Sequence, residues 1–475
     1  MKQLNEKTQT TDNAKEQENP LQLWSTYSDS QLKEVMALGE EYKEFLTYGK
    51  TERLCVSKTI EMATEKGYKP LEHYIASGNI KTGDKFYSSF MNKAIILGIV
   101  GEEPFENGFN ILGAHIDSPR LDLKQKPLYD SDGLCLLDTH YYGGIKKYQW
   151  VTLPLALHGV VAKKDGSILN ISIGDHEDDP VFCVTDLLVH LSSKQLTKNG
   201  ATVVEGEDLD LLFGSMCSKE QASVKEYILA LLKEKYNFEE DDFLSAELEI
   251  VPAGAARDCG IDRSMVLGYG QDDRICAFAS LKALLEQDKV ERNCLCVLVD
   301  KEEIGSVGAT GMESRFFENT LAELIYLQNK DGYNDLMLRH ALARSYMLSS
   351  DVSAGFDPNY GSVFEKRNSA FLGKGVVFNK YTGARGKSGS NDANAEYMAK
   401  IRNIMDSHNV AFQTAELGKV DAGGGGTIAY ILGNLCMNVI DCGIALLSMH
   451  APWEVSSKAD LYEGYKCYKA FLTIK

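Results

Sequence analysis

Apolar residues recur at helical spacing through Leu32, Val35, Met36 and Leu38, just beyond a Ser28 that can cap a helix. A second periodic stretch follows Thr51 and stops near Gly67. The short apolar runs at residues 94–100 and 109–114, each with polar flanks, predict buried strands. Beyond Asp122 the texture changes. Residues 133–173 read as β-structure, 221–233 as a helix and 247–251 as a strand. From about Gly268 helix and strand alternate: a helix over 272–286, a buried strand over 295–299, a helix over 391–407 and another buried strand over 443–447. This order predicts an α/β domain built from residues 21–122 and 254–475, interrupted by an inserted domain over 123–253. The chain shows no internal repeat and no long low-complexity segment.

Length agrees with two domains, because 475 residues exceed what one hydrophobic core usually serves. A hydrophobic share of 44% with 25% charged residues belongs to a globular chain, not a disordered one. No apolar run is long enough for a bilayer, so no membrane partner is expected. Residues 1–20 are polar, lack the apolar centre of a secretory signal and read as a disordered tail. The net charge of −18 repels phosphate backbones and argues against nucleic acid. Eleven cysteines without dense spacing point to reduced thiols and a cytoplasmic location. Cys294 and Cys296 alternate within an apolar run, which places them on one face of a strand as core thiols.

Five segments carry ionisable groups at predicted strand ends or helix starts, where open α/β sheets place their sites. In GAHIDSPRLDLK, Asp117 stands two residues after His115, on the same side of extended backbone, and can orient the imidazole as a metal ligand. In YGQDDRICAF, Asp272 and Asp273 precede a helical pattern; they either cap it or supply a carboxylate bridging two cations. In VLVDKEEIGS a buried strand delivers Asp300, Glu302 and Glu303 to one tight place, relieved by solvent or by a cation. With metal present, one glutamate can be a ligand and the other the general base. Asp351 and His450 each end a further apolar run, and each alone has a plain structural explanation. Together, two histidines and several carboxylates without thiolates suit a catalytic pair of zinc, cobalt or manganese ions. The glycine run 423–426 precedes a helical pattern but lacks the lysine of a phosphate loop; it reads as a loop, Gly425 included, that lets backbone approach a substrate.

The motifs GAHIDSPRLDLK, DKEEIGS, SSDVSAGFDPNY and SMHAPWE, in this order, resemble the aspartyl aminopeptidase family of co-catalytic metallopeptidases. The resemblance implies a zinc-exopeptidase-like α/β catalytic domain, its central mixed sheet flanked by helices, with an inserted mainly-β domain for subunit contacts. It implies two divalent metal ions per subunit, most simply zinc. Asp272 would bridge them, His115 and Asp351 would complete one site, and Glu303 and His450 the other. Glu302 would be the general base, and Asp117 would orient His115. It further implies peptide substrates with acidic N-terminal residues and a tetrahedral homo-dodecamer. A related dipeptidase or deacylase is the alternative activity. The chain departs from the family in carrying Ala354 and Asp186, the latter with His190 nearby, where relatives carry substrate-holding histidines. Lys380 is the candidate cation left for a substrate carboxylate.

Overall fold

The computed structural model describes residues 22–383 and 385–475; the expected tail at 1–20 lies outside them. The first long helix, Asp29–Tyr48, starts where predicted because Ser28 and Gln31 form a reciprocal capping box: the Gln31 amide donates to Ser28 Oγ at 3.3 Å and the Ser28 amide to Gln31 Oε1 at 3.0 Å. The second helix, Glu52–Glu65, is capped by Thr51, whose hydroxyl accepts from the Leu54 amide. The first helix buries Val35, Leu38, Tyr42, Phe45 and Leu46, and stacks Tyr42 and Phe45 against Phe278 of the helix Gln271–Leu285 at ring distances of 5.5 and 5.4 Å.

These helices cover a nine-stranded mixed sheet. Its order is Lys69–Pro70, Lys85–Phe90, Ala94–Ile99, Asn293–Val299, Phe109–His115, Tyr346–Ser349, Asn438–Gly443, Val376–Asn379 and Phe412–Thr414. The four strands from Asn293–Val299 to Asn438–Gly443 run parallel. They are covered on both faces, which explains their unbroken apolar runs. Cys294 and Cys296 lie in that core, paired with Ile99 and Leu97. The predicted strand over 443–447 is two strands. Asn438–Gly443 ends in the central sheet, and Ala445–Leu447 joins a five-stranded sheet with Arg257–Cys259, Met265–Gly268, Ser353–Ala354 and Glu454–Ser457. Gly443 makes that change of sheet possible, because a Cβ there would stand 1.6 Å from the Asp351 carbonyl oxygen. The helix predicted from residue 391 begins at Ala395 instead, because Asn394 caps it by accepting from the Tyr397 amide.

A third sheet has seven antiparallel strands, all from residues between Arg120 and Pro252. It buries its own apolar cluster, which includes Leu137, Trp150, Leu155, Leu211 and Ile250. Where helix Glu52–Glu65 meets this sheet, Arg120 is buried among carboxylates, with Nε 2.8 Å from Asp122 and 3.2 Å from Glu249, and Nη1 3.6 Å from Glu52. Such a buried ion group holds only while every partner is present. Ser28→Ala removes half of the capping box and should lower the unfolding free energy by about 1 kcal/mol, read from chemical denaturation at unchanged m-value.

Candidate metal centre

Sheet register brings the distant acids and histidines together. Val299 pairs with His115, and Ser349 pairs with Gly113, so the residues just past each strand end meet at one edge. Asp272 and Asp273 enter from the turn before helix Gln271–Leu285. Both have non-helical backbone angles, at φ −79°, ψ 107° and φ −115°, ψ 30°, and a cis peptide joins them. Asp272 therefore does not serve as a first-turn helix acid. One of its oxygens lies 3.1 Å from His115 Nε2 and the other 3.2 Å from His450 Nε2. His450 Nε2 is also 3.5 Å from Glu303, and His115 Nε2 is 3.9 Å from Glu302. Two groups could each hold a metal ion: His115, Asp272 and Asp351, and Asp272, Glu303 and His450. Within each group the ligand atoms lie within 4.8 Å of one another, and Asp272 belongs to both.

The supporting bonds face both rings the right way. His115 Nδ1 lies 3.1 Å from the Asp117 carbonyl and 3.3 Å from its carboxylate, and His450 Nδ1 lies 2.9 Å from the Gly144 carbonyl. A carbonyl only accepts, so each Nδ1 carries the hydrogen and each Nε2 turns its other valence to the carboxylates. Asp117 also accepts from the amides of Glu302 and Glu303, both at 3.2 Å, and from the Tyr142 hydroxyl at 2.8 Å. Lys301 and Gly305, at φ 69° and 96°, bend the chain tightly on either side of the short turn Glu302–Ile304. Glu454 is a residue that sequence reasoning missed. It is fully buried and accepts from the amides of His450 at 2.8 Å and Asp272 at 3.2 Å, tying the two segments together. Its only sequence signal is its place at the end of SMHAPWE.

A cavity of about 460 Å³ opens above these groups. Asp272, Glu302, Glu303, Asp351 and His450 form its floor. Gly305, Ser306, Val352, Ser353, Asn379, Thr382, Leu417, Gly424–Gly426, Thr427, Tyr430 and Met449 complete its wall. Gly425 is thus among the residues that line the cavity. Lys380 is not: its ammonium pairs with Asp392 on the surface, while its neighbours Asn379 and Thr382 face the cavity. Lys380 stands just past the strand Val376–Asn379, where its ion pair with Asp392 holds it at the surface. Asp300 also turns away and accepts from Thr310 Oγ1 at 2.6 Å. Asp186 is exposed and bonded to the Leu187 amide and the Gln195 side chain, with His190 in the adjoining turn Val189–Leu191.

Residues 45–472 match the family model described as Aminopeptidase I zinc metalloprotease (M18). The chain belongs to the M18 family of zinc aminopeptidases. The probable M18 family aminopeptidase 1 of Clostridium acetobutylicum is 60% identical over 453 residues, which cover 94% of this chain and 97% of that one. The crystal structure of the M18 aminopeptidase of Thermotoga maritima superposes with a TM-score of 0.91 at 40% identity, covering 96% and 99% of the two chains. The S. cerevisiae mApe1 dodecamer shares the fold at a TM-score of 0.73 and 20% identity, over 91% and 96% of the two chains. The M18 chain is accordingly a hydrolase of peptide bonds.

The charge balance of the M18 site fits a zinc-type donor set. Burial disfavours a charged His450, yet the Asp272 bond and the Glu303 and Asp272 charges outweigh it and push its pKa up to about 10. His115 is raised in the same way, against burial, by Asp117, Asp272 and Glu302. Burial, followed by neighbouring negative charge, pushes Glu303 and Asp351 up, while the two imidazoles hold Asp272 down despite its burial. These shifts state that the carboxylates call for positive charge between them and the rings, and protons supply it when nothing else does. A divalent ion requires neutral imidazole, so loading at pH 7–8 should expel protons. Apparent affinity should then rise with pH, because both imidazoles have raised pKa values and must lose a proton to bind the ion. Titration calorimetry in buffers of different ionisation enthalpy checks this; a buffer-independent enthalpy would contradict it.

Proposed function

We propose that this chain removes N-terminal residues from peptides with a pair of divalent cations, one held by His115, Asp272 and Asp351 and the other by Asp272, Glu303 and His450. The observation that carries the reading is that the two oxygens of Asp272 face two different imidazoles. Zinc is the ion the family description names, and cobalt and manganese suit the same donors. Bound there, such ions polarise the scissile carbonyl and lower the pKa of water. Glu302 belongs to neither ligand group, reaches the cavity, and has its pKa pushed up to about 7 by burial, in the range of a useful general base. It takes the proton of the attacking water and returns it to the leaving amine. Asp117 acts indirectly, by fixing the His115 ring and the amides of Glu302 and Glu303. The glycines 424–426 leave backbone room along one wall for an extended peptide.

An acidic first residue, the family preference, needs a cation near its carboxylate. Among the described residues lining the cavity there is no lysine or arginine, and Lys380 is committed to Asp392. Val352, Leu417, Met449, Asn379 and Thr427 offer a neutral wall instead. We therefore read the preferred first residue as neutral. Assembly into a homo-oligomer, a tetrahedral dodecamer on the family plan, has support in the inserted segment, residues 123–253. There Leu187, Leu188, Val189, Leu191 and Leu196 stand 46–69% exposed in succession, an unusual density for a free surface. All eleven cysteines are unpaired, which favours the reducing cytoplasm. No helix among the described residues is long and apolar enough to cross a membrane.

Glu302→Gln should keep the metal content and lower kcat by roughly 10²- to 10⁴-fold, measured by elemental analysis and steady-state kinetics on one sample. Full activity would remove Glu302 from its role. On a panel of aminoacyl chromogenic substrates, Leu and Met should give higher kcat/KM than Asp and Glu, and chelator should abolish all four rates. A faster Asp substrate would overturn the neutral reading.

A further inference from the structure

The seven-stranded sheet meets the metal centre at the end of strand Leu134–Tyr142 and the two glycines after it. Three contacts leave this turn. The Tyr142 hydroxyl donates to Asp117 Oδ2 at 2.8 Å. The Gly144 carbonyl accepts from His450 Nδ1 at 2.9 Å. Gly143, at φ +74°, lies so close to Glu303 that a Cβ would stand 3.3 Å from Oε2. One short turn thus touches Glu303 and His450 of one group directly and reaches His115 of the other through Asp117.

Tyr142 is the residue through which this contact acts at a distance. Asp117 has two oxygens and four donors around them: His115 Nδ1 and the Glu302 amide at Oδ1, and the Glu303 amide and Tyr142 at Oδ2. Three of those donors belong to groups that must be aimed, while the fourth, Tyr142, is held independently. Its ring lies under the Arg120 guanidinium, 3.9 Å from the ring centroid, and Arg120 is fixed by Asp122, Glu249 and Glu52. The ring is almost fully buried, so the hydroxyl has little freedom to leave Asp117. A hydrogen bond from a rigid donor selects one rotation of the carboxylate, and that rotation sets the His115 ring and the Glu302–Glu303 turn together.

We propose that Tyr142 is a positioning residue for the peptidase reaction: by anchoring Asp117 from the seven-stranded sheet, it aims His115 and the Glu302 backbone. This rests on the metal-site reading above. Arg120, stacked on the same ring, is the platform. The inserted segment is therefore part of the catalytic apparatus and not only a surface for assembly.

Tyr142→Phe keeps the ring and its stacking on Arg120 and removes only the hydroxyl. In the full chain loaded with zinc, we expect normal zinc content and an unfolding midpoint close to wild type. We expect kcat about 10- to 100-fold lower with KM changed less than about threefold, and faster zinc release to a chelating dye. Tyr129→Phe, which loses a hydroxyl bonded to Asp210 in the same sheet, should match wild type in all five readouts. Wild-type kcat and zinc release in a zinc-loaded Tyr142→Phe sample would overturn the positioning role while leaving the metal-site reading intact. A kcat loss that merely tracks a lowered unfolding midpoint, or that Tyr129→Phe reproduces, would overturn it too. A wild-type chain that is active but holds no metal would overturn both.

Discussion

Asp272 stands between two imidazoles, and most of the site can be derived from that placement. Its oxygens lie 3.1 and 3.2 Å from two histidine nitrogens that come from strand ends more than three hundred residues apart in sequence. Each ring hands its Nδ1 hydrogen to a carbonyl, so each Nε2 faces the shared carboxylate. Two more carboxylates, Asp351 and Glu303, close the two groups. So dense a set of acids in a buried place would be strongly unfavourable without positive charge between them. The fold carries that cost through a framework of neutral donors: Glu454 takes the amides of His450 and Asp272, and Asp117 takes those of Glu302 and Glu303.

The framework follows from sheet register. Parallel pairing of Asn293–Val299, Phe109–His115 and Tyr346–Ser349 makes three apolar runs end at the same level. The chemistry sits in the residues immediately beyond. Gly443 then lets the next strand pass against the Asp351 backbone and turn into the sheet that carries Glu454. A substitution that shifted any of these strands by one residue would turn every side chain to the opposite face of the sheet and scatter the donors.

Local pattern made much of this legible in the sequence. The caps at Ser28 and Thr51, the unbroken apolar run before Asp300 and the alternation of Cys294 and Cys296 are signals within a few residues. The structure repeats them. Asp117 was readable beside His115 because they are two residues apart. Its bonds to the Glu302 and Glu303 amides were not, since they depend on how the sheet closes. Tyr142 and Glu454 escaped for the same reason: a tyrosine in a β-run and a glutamate at a strand start look ordinary until the fold presents them to the site. Lys380 shows the converse. A lysine in the right neighbourhood of the chain is held at the surface by Asp392, a partner that only the fold identifies. The break at Ile444 was hidden because an apolar run carries no mark of which sheet it joins.

The central claim is that two cations flank one carboxylate. Anomalous diffraction at the zinc edge from crystals of the zinc-loaded protein tests it most directly. The account predicts two anomalous peaks per chain on either side of Asp272, one beside His115 and Asp351, the other beside Glu303 and His450. A single peak, or none within bonding reach of Asp272, would contradict it.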